Sequence, residues 1–237
     1  MLKLESINVQ FGGLAALQDV SMEIDSEDVV GLVGPNGAGK TTLFNVISGL
    51  VRPSGGRVLF NGIDVLRKPL YARARMGIGR TFQIPQPMHE LTVRENLLVA
   101  QRFGTGSVNQ SKIDEILDFV RLSDKSDRDA ATELALTELK ALEVAKALAI
   151  QPKLLLLDEV LAGLETGGKR QFIQMLSDLH RQFGIGILII EHDIETISSL
   201  CKRVCVLNFG ELIADGAAEA VFNNPEVIKS YTGESGA

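Results

Sequence analysis

The chain has 237 residues, 45% of them apolar, enough for one large α/β domain or a core with a small subdomain. Its formal net charge of −6, its lack of Trp and its two Tyr argue against a broad nucleic-acid surface and against stacking platforms for bases. The N-terminal MLKLESINVQ carries charged and polar residues throughout and does not read as a signal peptide, and the runs KLLLLDE and IGILIIEHD fall well short of the ~20 residues of a membrane span.

Segments 3–11 and 17–24 are strand-like with apolar alternation, and 57–60 leads into an Asn-Gly turn at 61–62, so these strands read as antiparallel. Segment 29–33, VVGLV, is nearly continuously apolar, as are 154–158 and 187–191. Such runs mark parallel strands covered on both faces. Helical patterns are predicted over 40–49, 138–150, 166–183 and 194–202, with a further strand at 204–208. Between about 92 and 133 the chain is helical and polar, with a loop-like GTGSVNQS at 104–111. It reads as part of a small helical subdomain, approximately 92–150, inserted in a single domain spanning 1–237. Cys201 and Cys205 lie four apart with no matching pair, too few ligands for zinc, and are expected to be buried thiols in a reducing compartment. The tail GESGA is expected to fray.

The stretch GPNGAGKTT at 34–42 follows the apolar strand and opens a helix. Gly34, Gly39, Lys40 and Thr41 fit G-x-x-x-x-G-K-[ST]. Glycines at these places let successive backbone N–H groups turn inward on phosphate oxygens, and the helix adds the positive end of its dipole. Lys40 reaches the β- and γ-phosphates, and the Thr41 hydroxyl suits Mg²⁺. LLLLDE then puts Asp158 and Glu159 at the C-terminal end of a buried strand, where ligands collect in open α/β sheets. One carboxylate there suits a metal, and the next can orient or deprotonate a water. ILIIEHD repeats the geometry and places His192 at a third strand end, positioned to bond a γ-phosphate and the attacking water.

The succession GPNGAGKTT, RTFQ, LLLLDE, AGLE and EHD resembles the ATP-binding subunits of ABC transporters over nearly the whole chain. Within that family GIGRTFQIPQPMHELTVRENLLVAQ, LLLLDEVLAGL, IIEHDIE and the ending NNPEVIKSYTGE are most similar to the cytoplasmic ATPases of branched-chain amino acid importers. Importers of other small carboxylates or amides and the lipopolysaccharide-export ATPase share much of this text. The resemblance implies a P-loop NTPase of the ABC type: a mostly parallel core sheet, an antiparallel β subdomain and an inserted helical subdomain. It implies ATP and Mg²⁺ as ligands. Gly34, Pro35, Asn36, Gly37, Ala38, Gly39, Lys40, Thr41 and Thr42 would form the Walker A loop, and Phe11 would stack on adenine. Gln83 would join Thr41 and Asp158 at Mg²⁺ and contact the attacking water. Glu159 would be the general base, and His192 would sense the γ-phosphate. The implied partners are a second ATPase subunit, membrane permease subunits on the inner face of the cell membrane and, through them, an external solute-binding protein.

The same resemblance exposes a departure. Members of the family usually carry LSGGQ, which grips the nucleotide of the facing subunit. Here the corresponding residues are Leu134, Ala135, Leu136, Thr137 and Glu138. A hydroxyl donor is replaced by Ala135, and two glycines by Leu136 and Thr137. Val160 and Glu165 stand where proline and aspartate are usual. In the helix that follows, Leu139, Leu142 and Leu148 form an apolar face, with Glu143 and Lys146 as a surface i,i+3 pair. Arg73, Arg75 and Arg80 are expected either to meet the membrane subunit or to form a solvated cluster. Besides the import reading, export-type and non-transport ABC ATPases remain open. The latter usually carry a coiled-coil insertion or two cassettes, which are not seen here.

Overall fold

The period-two pattern near the N-terminus becomes two long strands, β1 (Leu2–Phe11) and β2 (Leu14–Ile24), with Leu2, Leu4, Ile7 and Val9 of β1 buried. The computed structural model describes residues 1–232, and the tail GESGA lies outside the described residues. After β3 (Val29–Val33) and helix α1 (Lys40–Ser48) come β4 (Gly55–Phe60) and β5 (Ile63–Asp64), joined by the expected Asn61–Gly62 turn. Then follow α2 (Leu70–Met76), β6 (Ile78–Arg80), α3 (Val93–Thr105), α4 (Gln110–Phe119), α5 (Leu136–Ala149), β7 (Leu154–Asp158) and α6 (Thr166–Phe183). The described chain closes with β8 (Gly186–Ile190), α7 (Ile194–Leu200), β9 (Arg203–Asn208), β10 (Glu211–Ala217), α8 (Ala218–Phe222) and α9 (Pro225–Thr232).

Contacts divide the chain into two units, Met1–Arg73 with Gly186–Ala237, and Ala74–Ile185. The first unit contains an antiparallel sheet, β2-β1-β4-β5, and a second ladder in which β3 runs parallel to both β8 and β9 while β10 pairs antiparallel with β9. β3 and β8 are buried nearly end to end, as their unbroken apolar runs require of strands covered on both faces. Arg73 is also buried here, not offered to a membrane partner. Its Nη1 donates to the carbonyls of Val46 (2.6 Å) and Ile47 (2.8 Å) in the last turn of α1. A cation at a helix C-terminus meets both the free carbonyls and the negative end of the dipole. Cys201 and Cys205 are buried free thiols, and burial pushes the Cys201 thiol up to about 12.

The second unit contains the parallel pair β6-β7 and the helices α3 to α6. α3 opens on a reciprocal box in which the Thr92 hydroxyl accepts from the Glu95 N–H and the Glu95 carboxylate accepts from the Thr92 N–H. The loop expected at 104–111 is shorter. α3 runs on to Thr105 and ends at Gly106, and α4 begins at Gln110 with the Asn109 side chain as its N-cap. Arg75 donates to the Phe103 carbonyl at 3.0 Å. The Glu143–Lys146 pair exists at 2.6 Å but is buried, with side-chain exposures of 6% and 14%. Glu143 also accepts from the Gln86 N–H, and Lys146 donates to the Gln86 carbonyl, so the pair faces another chain segment instead of solvent.

Candidate active site

In the first unit the loop 34–42 leaves the end of β3 and enters α1 at Lys40. Gly34 (φ 144°) and Gly39 (φ 105°) are positions that admit no side chain. A Cβ on Gly34 would lie 2.0 Å from the Leu207 carbonyl oxygen, and one on Gly39 would lie 2.7 Å from that of Ala16. The loop is pinned from outside by the Gly210 N–H, which donates to the Ala38 carbonyl at 3.0 Å. Lys40 is buried, and its ammonium bonds the carbonyls of Gly34 (2.7 Å) and Pro35 (2.9 Å). That holds the charge inside the curve of the loop. Thr41 is exposed and Thr42 half-buried in the first turn of α1. No side chain caps the α1 N-terminus, and no acidic residue sits in its first turn. Its leading N–H groups thus remain available to an anion.

Phe11 and His192, both expected at the nucleotide, belong to this unit as well, and so does Tyr231. Phe11 ends β1 with half its surface exposed, so it is no core residue. His192 follows β8 and is exposed, just before Asp193, whose carboxylate caps α7 by accepting from the Glu195 N–H. Tyr231 of α9 was not singled out in the sequence. Burial raises its phenol, opposed by the Gly34 N–H, which donates to it at the base of the loop.

In the second unit β7 delivers Asp158, buried, and Glu159, half-buried, as adjacent residues. The segment after β6 reads them in parallel. Arg80 Nη2 lies 3.0 Å from Asp158 Oδ2, both side chains being nearly inaccessible. The Gln83 amide donates to the Glu159 carboxylate. The Thr81 hydroxyl accepts from the Asp158 N–H. Arg80 therefore meets neither the membrane-contact nor the solvated-cluster expectation. Glu159 has φ 49°, a left-handed conformation that costs a residue with a side chain on the order of 1 kcal/mol. The Lys140 ammonium holds its carbonyl at 3.2 Å. Arg80 and Lys140 escape a sequence reading because nothing local distinguishes a buried cation from a solvated one.

The altered signature also lies in this unit. Leu134 is half-buried, and Ala135 is the N-cap of α5, so Leu136 and Thr137 enter the first turn two residues earlier than expected. The Glu138 carboxylate accepts from the Ala135 N–H at 2.9 Å and pairs with Lys125. Burial opposes its ionisation, but these two partners outweigh it and hold the carboxyl below its ordinary range. The Glu138 carboxylate thus sits in the first turn of α5 and bonds the N–H just before it, whereas the first turn of α1 holds no acidic residue; at neither helix does a side chain cap the first-turn amides. The added bulk is accommodated opposite glycines. A Cβ on Gly163 would meet Leu136 at 3.4 Å, and one on Gly168 would meet Thr137 at 3.6 Å.

An uncapped glycine loop closing on a buried lysine, with paired carboxylates at a strand end, is the equipment of a P-loop nucleoside triphosphatase. Residues 17–162 match the ABC transporter family, and residues 211–237 match the branched-chain amino acid ATP-binding cassette transporter family. The chain is 34% identical to the high-affinity branched-chain amino acid transport ATP-binding protein BraF of Pseudomonas aeruginosa, covering 99% of this chain and 98% of that protein. It is likewise 34% identical, over 99% of its length and 98% of the relative's, to the lipopolysaccharide export system ATP-binding protein LptB of Haemophilus influenzae. Among solved structures, the ADP conformation of MJ1267, an ATP-binding cassette of an ABC transporter, superposes with a TM-score of 0.88 at 34% identity, covering 99% of both chains. The chain belongs to the ABC transporter family and is an ATPase of that family, close to the branched-chain amino acid transport ATP-binding proteins. Its fold is the P-loop α/β fold of ABC ATPase domains.

Proposed function

We propose that this chain hydrolyses ATP to drive uptake of branched-chain amino acids through a separate membrane permease. The observation that carries the reading is the uncapped phosphate loop of one unit, together with Glu159 bonded by Gln83 in the other unit, in a chain whose C-terminal segment matches the branched-chain family. The domain assignment that goes with it is one cassette over 1–237 with a helical subdomain at about 92–150. The partners are a second ATPase subunit and permease subunits, with an external solute-binding protein acting through the permease and no nucleic acid. The chain would work on the cytoplasmic face of the membrane. Among the described residues no helix is long and apolar enough to cross one.

In this reading the N–H groups of 37–42 and the Lys40 ammonium bind the β- and γ-phosphates, and Phe11 covers the adenine. Thr41, Asp158 and Gln83 would hold Mg²⁺, which would supply positive charge to the phosphate oxygens. Their donor set fits a hard cation: one hydroxyl, one carboxylate and one amide, all oxygen ligands. Glu159 takes the proton of the attacking water, Gln83 orients that water, and His192 bonds the γ-phosphate. The strained backbone of Glu159, fixed by Lys140, aims the carboxylate before substrate arrives.

The test joins chemistry to direction of transport. The chain is expressed with branched-chain amino acid permease subunits and their solute-binding protein and reconstituted in vesicles with labelled leucine and ATP. ATP-dependent accumulation of leucine is expected on the same side of the membrane as the ATPase and its ATP. Glu159→Gln should bind ATP at wild-type affinity and lose turnover and accumulation together, because an amide cannot accept the proton. Wild-type hydrolysis by that variant removes Glu159 as the base, and extrusion of a lipid in place of leucine uptake replaces import with export.

A further inference from the structure

In the motif RTFQ, Gln83 has a part in the chemistry, and nothing above assigns one to Arg80. It ends β6, whose register with β7 sets Arg80 against Leu156, two residues before Asp158. From there its guanidinium reaches the Asp158 carboxylate at 3.0 Å, and the two side chains are 6% and 7% exposed. The Arg80 guanidinium also lies over the Phe82 ring, 5.1 Å from its centroid. The placement is constrained from both sides, since Thr81 N–H donates to the Leu156 carbonyl at 2.9 Å and the Thr81 hydroxyl takes the Asp158 N–H. Burial lowers the Arg80 pKa, with Asp158 opposing, and an arginine stays ionised under such pressure.

A buried ion pair is a poor source of net stability, because the desolvation of two charges largely cancels their attraction. Its value therefore lies in what it fixes. Here it fixes one oxygen of the carboxylate that the ATPase reading assigns to a divalent cation. We propose that Arg80 is a positioning residue for ATP hydrolysis: it locks the Asp158 carboxylate in one orientation and, as a fixed positive charge beside it, weakens that carboxylate's hold on the cation. The proposal rests on the ATPase reading of Asp158. Its consequence is a carboxylate aligned for turnover that does not bind the metal as tightly as a free one. Such a site favours release after hydrolysis over a trapped product complex. The segment 80–83 then acts on both acidic residues at once, through Arg80 on Asp158 and through Gln83 on Glu159.

The test uses the full chain and Mn²⁺ as a spectroscopically visible cation, at pH 8, with a non-hydrolysable ATP analogue. Electron paramagnetic resonance gives the Mn²⁺ affinity of the nucleotide complex, and steady-state assays give kcat and KM for ATP. Arg80→Gln should bind Mn²⁺ at least threefold more tightly than wild type while kcat falls at least fivefold and nucleotide affinity stays within twofold. Arg80→Lys keeps the charge but not the planar fork, so its Mn²⁺ affinity should stay within twofold and its kcat should fall at least threefold. Unchanged or weaker Mn²⁺ binding by a folded Arg80→Gln overturns the proposal. If that variant does not fold, wild-type kcat in Arg80→Lys overturns it instead. A wild-type chain that binds no Mn²⁺ with nucleotide overturns the ATPase reading of the site itself, a result distinct from either of these.

Discussion

At the level of single residues, Lys40 shows how a motif becomes a physical object. The pattern G-x-x-x-x-G-K-[ST] was legible because its glycines are demanded by backbone geometry: Gly34 and Gly39 adopt φ values, and face carbonyl oxygens at distances, that no side chain tolerates. What no pattern conveys is that the Lys40 ammonium is buried against the loop's own carbonyls. Lys40→Ala removes the only side-chain cation of the loop. Two charge-assisted hydrogen bonds to phosphate, each worth about 1.5–3 kcal/mol, would be lost, so ATP affinity should fall on the order of a hundredfold or more. Isothermal titration of ATP against the purified variant measures this. An unchanged affinity would move the nucleotide away from the loop. Arg80 is the opposite case, since a surface cluster and a buried carboxylate partner look alike as letters, and only the β6-β7 register separates them.

At the level of elements, the strands with unbroken apolar runs and the long amphipathic helices were readable because burial on two faces, or on one stripe, dictates composition. β6 was not. It is three residues long, with Gly79 at its centre and Gly77 just before it, and its pairing with β7 is non-local. The short α2, α8 and α9 lack the length over which a helical period can be recognised, and β10 lies beside a single partner with most of its residues half-exposed. α5 was found, but its charged pair was placed on the wrong side. Period alone marks Glu143 and Lys146 as neighbours and is silent about the segment that covers them. Because Glu143 satisfies both Lys146 and the Gln86 N–H in a buried setting, Glu143→Ala strands two polar partners. Breaking a buried pair from one side costs about 3 kcal/mol or more, which in a domain of this size lowers Tm by roughly 6–12 °C. Glu143→Gln keeps an acceptor for Gln86 and should lose less. Calorimetry on the two variants decides, and equal Tm values for Ala and wild type would show that the segment around Gln86 does not depend on this helix.

At the level of the whole molecule, the two helix N-termini that bear on phosphate differ in kind. The first turn of α1 holds no acidic residue, whereas α5 follows its N-cap Ala135 with Leu136 and Thr137 and carries Glu138 in its first turn, bonded to the Ala135 N–H. On the ATPase reading, a subunit built this way should complement its own nucleotide well and a facing subunit's nucleotide poorly. We therefore expect it to work in an asymmetric pair with a second ATPase whose signature is intact, the productive site being the one that uses this chain's phosphate loop. Each charge-assisted bond missing from the signature is worth on the order of 1.5–3 kcal/mol, roughly a tenfold to hundredfold loss in closed-dimer stability or rate. The purified chain alone should then hydrolyse ATP slowly. Replacing 135–137 with Ser-Gly-Gly should raise that rate at least tenfold, and the exchange is sterically mild because Gly163 and Gly168 already leave room beside Leu136 and Thr137. The measurement is ATP turnover against protein concentration for both chains, with sedimentation to follow nucleotide-dependent dimerisation. The asymmetric pair is ruled out if the wild-type chain alone is a fast, cooperative ATPase and the repaired signature adds nothing.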